Sequence, residues 1–217
     1  MGTVLDFLLK GGPFMVPLLL CSIIMVAVIL ERLWTYRVVN RDNALLMREV
    51  SEALKRGNAD DALRTCESVG GPVALVVATG LRRGNESRDE MREAMNFAMV
   101  TNQAFLERHL VWLITIANIA PLLGFLGTVS GLYKAFVEVT VYGLGDPTKF
   151  AAGVAEALIT TVTGLAIAIP ANIAYNYFVS RVDGFVLDME NAANQVLEWH
   201  EQLQVAKAGE QRAAAAS

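Results

Sequence analysis

Glu156 is the only charged residue between positions 150 and 180, in a stretch dominated by Ala, Ile, Leu and Val. A carboxylate inside a lipid bilayer is costly, so an ionisable group there is a functional-site hypothesis by default. Thr160, Thr161 and Thr163 follow it closely. An acid that takes up and releases a proton, beside hydroxyls that both donate and accept hydrogen bonds, can form a path for protons or small cations. At 100° per residue, Thr160 and Thr163 fall within about 40° of Glu156, while Thr161 lies about 140° away. Each threonine also has a plainer use, because membrane hydroxyls often bond their own i−4 carbonyl. The plainer reading of Glu156 is an acid near the membrane surface, paired with Lys149 or reaching outward.

A second apolar stretch carries no charge from 110 to 133. Within it Gly124, Gly127 and Gly131 are three and four residues apart and share a helix face, and small residues let helix backbones approach closely in lipid. Gly164 and Pro170 are the matching packing candidates in the Glu156 stretch. Pro121 is expected to bend its helix, with Asn118 bonding the carbonyls that the bend frees. Counted inward from outer boundaries near Thr140 and Ala151, Thr128 and Thr161 both sit about 15–18 Å deep, near the bilayer centre. Two hydroxyls at one level, with an acid nearer the outer mouth, would line a polar path.

The elements that must position these groups follow from composition and pattern. The chain has 217 residues, 54% of them hydrophobic, which points to a membrane protein. Its net charge of −4 argues against nucleic acid as a partner. Cys21 and Cys66 lie in unlike surroundings far apart and imply no disulfide framework. A first span over 14–30 is too long for a signal peptide, and no small-residue cleavage site follows it. Trp34 and Tyr36 are expected at its membrane interface. Arg32, Arg37, Arg41, Arg108 and Arg181 lie on one side of the spans and Lys10, Lys134 and Lys149 on the other. That bias places the N-terminus in the periplasm and the C-terminus in the cytoplasm.

The expected fold is an all-α membrane protein with three transmembrane helices, two of them extended into a cytoplasmic helical domain. An interfacial segment over 1–12 precedes transmembrane helices over 13–38, 110–141 and 151–179. A cytoplasmic helical domain fills 39–109, an external loop 142–150, a cytoplasmic helix 180–204 and a disordered tail 205–217. Inside the cytoplasmic domain, Leu46, Val50, Ala53 and Leu54 mark one buried helix face. Ser87-Arg88-Asp89-Glu90 fits a capping box. Met91, Met95, Ala98, Asn102, Phe105 and His109 recur at helical spacing after it, with no breaker before the second span, so one continuous helix is expected there. Val182, Phe185, Met189, Ala193, Val196 and His200 form a similar stripe beyond the third span.

Three helices cannot enclose a sealed path, so the small-residue faces imply a ring of identical copies with the second and third spans at its centre. Asn118-Ile119-Ala120-Pro121-Leu122-Leu123-Gly124, Leu126-Gly127-Thr128-Val129, Glu156-Ala157-Leu158, Thr160-Thr161, Gly164-Leu165 and Ala168-Ile169-Pro170-Ala171 together resemble the MotA/TolQ/ExbB proton-channel family, most closely its TolQ and ExbB branch. The resemblance implies a bacterial inner-membrane pentamer around a dimer of a single-span partner of the ExbD or TolR type, whose membrane Asp carries protons. It assigns the pore threonines to Thr128 and Thr161 and the membrane glutamate to Glu156. It also implies that proton passage rotates the ring against the dimer and drives work on a periplasmic or outer-membrane target. Each proton supplies about 2.3 kcal/mol per 100 mV of membrane potential, so several must combine. Three spans rather than four set the chain apart from the flagellar stator branch.

Two other readings compete. A transporter's membrane subunit would bind substrate near Glu156 and Asn172, but such folds show repeats or broken helices, and no repeat is visible here. A non-conducting structural scaffold would need the ring but not the acid or the hydroxyls. No nucleophile–base set, metal-ligand spacing or phosphate loop appears, so neither an enzyme nor a cofactor is expected.

Overall fold

The computed structural model describes residues 11–39, 43–142 and 147–216, all helices and short turns with no strand among them. The helices are α1 (Met15–Val39), α2 (Asn43–Lys55), α3 (Ala59–Val69), α4 (Pro72–Arg82), α5 (Arg88–Glu107), α6 (Leu110–Tyr142) and α7 (Pro147–Ala216). The chain divides into two compact units, Met1–Arg32 with His109–Val179, and Leu33–Arg108 with Ser180–Ser217. Three helices are long and apolar enough to cross a membrane, beginning at Met15, Leu110 and Phe150. With its all-helical content, this is an all-α membrane protein.

In the first unit the chain enters α1 through Gly11-Gly12-Pro13. Gly12 has φ +68°, a left-handed conformation that L-residues with a side chain rarely adopt. The Met15 N–H donates to the Gly12 carbonyl at 3.2 Å and the Val16 N–H to the Pro13 carbonyl at 3.3 Å, closing the first turn. Space enforces the same choice, because a Cβ on Gly12 would stand 2.0 Å from Glu156 Oε1. α6 and α7 run antiparallel, joined along a seam of small residues. Their outward faces remain apolar: Leu122, Phe125, Phe136, Leu158, Val162 and Ile169 are all exposed. So much outward apolar surface suits lipid or further copies of the chain rather than water.

The second unit builds a water-type core. Leu46, Val50, Ala53 and Leu54 of α2 are buried as their spacing predicts, with Cys66, Val76, Val77, Met91 and Met95. Met189, Ala193 and Val196 of α7 join the same core, and Val182, Phe185 and His200 are also buried. The capping box forms: Glu90 N–H donates to Ser87 Oγ at 3.3 Å, and Ser87 N–H donates to Glu90 Oε2 at 2.9 Å. The Ser87 N–H and the Ser87 hydroxyl, which donates at 2.8 Å, hold the Glu90 carboxyl below its usual range. Cys66 is a free, buried thiol, and burial pushes it from an ordinary 9.0 up to about 11. At pH 9 the folded thiol is therefore expected to alkylate roughly 50-fold more slowly than the unfolded one. Timed iodoacetamide labelling with and without denaturant checks this. The sign of the pH effect follows: the folded state disfavours the thiolate, so stability falls as pH rises from about 9 towards 11.

Several expectations change. The continuous helix expected from 88 into the second span is two helices, α5 ending at Glu107 and α6 starting at Leu110. The ladder gives way at Arg108-His109, where Trp112 N–H donates to the His109 carbonyl at 3.2 Å, a tighter i→i+3 bond. The buried stripe of α5 passes through Met91, Met95 and Leu106, leaving Phe105 exposed. Tyr36 is buried in the protein, donating to the Leu106 carbonyl at 2.9 Å, while Trp34 stays exposed. The tail expected to be disordered from 205 continues as helix through Ala216, in keeping with the high helix propensity of its Ala, Gln, Glu and Lys. Lys10, Arg41 and residues 1–10 of the expected interfacial segment lie outside the described residues.

Candidate functional site

The seam between α6 and α7 exists because glycines face backbone across it. A Cβ on Gly164 would lie 2.5 Å from the Ala120 carbonyl oxygen and 3.1 Å from Gly124 Cα. A Cβ on Gly124 would lie 3.0 Å from the Thr160 carbonyl oxygen, and one on Gly131 2.9 Å from the Gly153 carbonyl oxygen. Gly127 receives Thr160 instead, whose Oγ1 would be 2.4 Å from an added Cβ. Gly124, Gly127, Gly131 and Gly164 thus all serve close packing. Gly153, which sequence reasoning passed over, belongs with them, since its added Cβ would be 2.8 Å from Ala135 Cβ. Pro121 is half-buried in α6, whereas Pro170 is exposed between buried Ala168 and Ala171. Asn118 is exposed and makes no side-chain hydrogen bond among the described residues, so it does not cap the carbonyls freed by Pro121.

This register brings Thr128 and Thr161 side by side. Their hydroxyls share a short hydrogen bond. Thr161 Oγ1 also donates to the Gly124 carbonyl at 3.1 Å, and Thr128 Oγ1 lies 3.2 Å from the Ala157 carbonyl. Each hydroxyl therefore reaches across to the other helix's backbone. The remaining threonines behave differently. Thr160 is fully buried, donating to the Ala157 carbonyl at 2.9 Å. Thr163 donates to the Ile159 carbonyl at 2.8 Å, the local back-bond that any membrane threonine can make. The face shared with Glu156 by helical geometry is thus occupied by structural hydroxyls, and the couple forms at Thr161.

Glu156 lies along the same seam, nearer the connection between α6 and α7. Its Oε1 accepts from Lys134 Nζ at 2.6 Å, and its side chain is 19% exposed against 47% for Lys134. The plainer reading of Glu156 names Lys149 or an outward reach instead, and the side chain of Lys149 lies outside those described. A signal for the observed pair was present: the register that levels Thr128 with Thr161 carries Lys134 to the level of 155 and 156. Sequence reasoning also missed a polar cluster formed by Glu31, Arg32 and His109. Arg32 is buried, and its Nη2 stands 2.5 Å from Glu31 Oε1. His109 Nδ1 is 3.1 Å from both Arg32 Nη2 and Glu31 Oε2. His109 thus joins an ionic cluster instead of an apolar stripe.

Comparison with known proteins follows the same residues. A family model described as the MotA/TolQ/ExbB proton channel family matches residues 69–191. A putative biopolymer transport protein ExbB homolog of Methanothermobacter thermautotrophicus is 32% identical over 183 residues, covering 84% of this chain and 65% of that protein. A putative biopolymer transport protein ExbB-like 1 of Synechocystis is 33% identical over 183 residues, covering 81% of this chain and 70% of that protein. The Tol-Pal system protein TolQ of Haemophilus influenzae is 40% identical over 98 residues, covering 45% of this chain and 43% of that protein. The chain therefore spans just under two thirds of the first of these relatives.

Proposed function

Because this chain belongs to the MotA/TolQ/ExbB proton channel family, we propose that it is the ring-forming subunit of a proton-driven motor in a bacterial inner membrane. Five copies surround a dimer of a single-span ExbD- or TolR-like protein, with α6 and α7 of each copy facing that dimer. The N-terminus lies in the periplasm and the C-terminus in the cytoplasm. Protons enter near Glu156, pass the level of Thr128 and Thr161, and are carried by a membrane Asp of the partner. Their passage turns the ring against the dimer, whose periplasmic part delivers the work.

The observation that carries this reading is the Thr128–Thr161 couple, formed across two membrane helices on the seam that also holds Glu156. A hydroxyl pair bonded across two helices gives a fixed polar station in an apolar slab, and such groups are costly unless they serve a path or a partner. Thr160 belongs to packing in this scheme, and Gly124, Gly127, Gly131, Gly153 and Gly164 keep the two helices close enough for the couple to form.

Native mass spectrometry of the complex, drawn from its own host into mild detergent, tests the assembly. Five copies of this chain with two of a small single-span protein are expected. A monomer, or a complex with a nucleotide-binding subunit, would overturn the reading in favour of a transporter subunit.

A further inference from the structure

A cleft of about 630 Å³ opens between α6 and α7, lined among others by Lys134, Glu138, Gly153 and Glu156. It holds two carboxylates and one ammonium, and the ammonium is not idle. Lys134 Nζ lies 2.6 Å from Glu156 Oε1, a charge-assisted hydrogen bond at the short end of its range. Glu156 is further confined by the turn before α1, where Gly12 has no side chain to push the carboxylate aside. Glu156 Oε2 has no hydrogen-bond partner among the described residues. Among the described residues, then, one oxygen of this acid is held by a resident cation and the other carries no partner.

We propose that Lys134 sets which ion the path accepts, admitting protons and excluding sodium and other metal cations at the Glu156 cleft. This deepens the reading of the chain as a proton-path subunit and rests on it. A metal cation must replace its lost water with several oxygen ligands at once. At this cleft Oε1 is already bonded to the ammonium, which leaves a metal ion one carboxylate oxygen instead of two and repels it from that one by its like charge. A proton makes no such demand. It moves from a hydronium ion to Oε2, one O–H bond breaking on the donor, which is left as water, and one forming on the carboxylate, while the Lys134 contact at Oε1 stays in place. Without the ammonium the described lining of the cleft keeps two carboxylates, Glu138 and Glu156, hard oxygen donors of the kind that suit a metal cation.

The test uses the complete complex as purified from its host, reconstituted into liposomes. Proton uptake is read with an internal pH dye and sodium uptake with a radioactive tracer, both under an imposed membrane potential. Wild-type complex is expected to take up protons and no sodium above empty liposomes. Lys134→Gln is expected to raise sodium uptake roughly tenfold or more above wild type, while Lys134→Arg, which keeps the cation, stays closed to sodium. Native mass spectrometry verifies that each variant assembles, and Lys134→Met provides a second neutral side chain should the Gln variant fail to do so. Sodium uptake by the wild type, or proton uptake without sodium uptake in the assembled neutral variants, overturns the proposal while leaving the proton path standing. No uptake of either ion by any assembled complex overturns the proton path and this proposal together.

Discussion

Glu156→Gln is expected to cut proton uptake by the reconstituted complex about a hundredfold or more, with the mass of the assembled complex unchanged. The substitution is nearly isosteric. Its amide oxygen still accepts from Lys134 Nζ, which stands 2.6 Å from Glu156 Oε1, and it still packs against Gly12. What it removes is the capacity to bind and release a proton, together with the charge opposite Lys134. A group that served only to hold the helices together would tolerate that exchange, so uptake and assembly separate the two roles. Retained uptake with intact assembly would remove Glu156 from the path and favour the non-conducting scaffold. Lost assembly would make Glu156 a structural ion pair first, with the path secondary.

The sequence made legible what depends on local spacing or on one register. The capping box at Ser87 and Glu90, the buried face at Leu46, Val50, Ala53 and Leu54, and the Val182-to-His200 stripe are local patterns, and each is realised. The level of Thr128 with Thr161 came from counting residues inward along two antiparallel spans, and their hydroxyls meet. What escaped depends on which side chain wins a contact at long sequence separation. Lys134 reaches Glu156 from 22 residues away on the neighbouring helix, a contact fixed by the register of the glycine seam. Tyr36 looked interfacial by type, yet its ring packs edge-on against Phe185 at 5.9 Å, across a separation that periodicity does not encode. His109 continues the apolar spacing that begins in α5, but it lies past the end of that helix, and Glu31 and Arg32 reach it from α1. Helical geometry alone favoured Thr160 for the path, because angle measures which residues share a face, not what that face meets. Gly127 meets Thr160, and the space a missing Cβ leaves there makes that threonine a packing knob.

Gly164→Val is expected to disrupt the α6–α7 seam outright, and Gly164→Ala to destabilise it by about 1–3 kcal/mol. The added Cβ would lie 2.5 Å from the Ala120 carbonyl oxygen and 3.1 Å from Gly124 Cα. Both are backbone atoms, so no side chain can rotate away, and restoring an ordinary C···O contact near 3.3 Å requires the helices to part by about 1 Å. Thr161 donates to the Gly124 carbonyl on the opposite helix and accepts from Thr128. A separation of that size breaks those bonds and opens the polar station along with the packing. The measurements are the melting temperature of the detergent-extracted complex and proton uptake by whatever assembles. Gly184→Ala supplies the control within the same helix, since a Cβ there meets nothing within 4 Å. Replacing a mid-helix glycine in open space should leave stability unchanged or raise it by about 0.5–1 kcal/mol. Equal losses at Gly164 and Gly184 would mean that α7 responds to glycine replacement in general, and the close approach at Ala120 would no longer account for the seam.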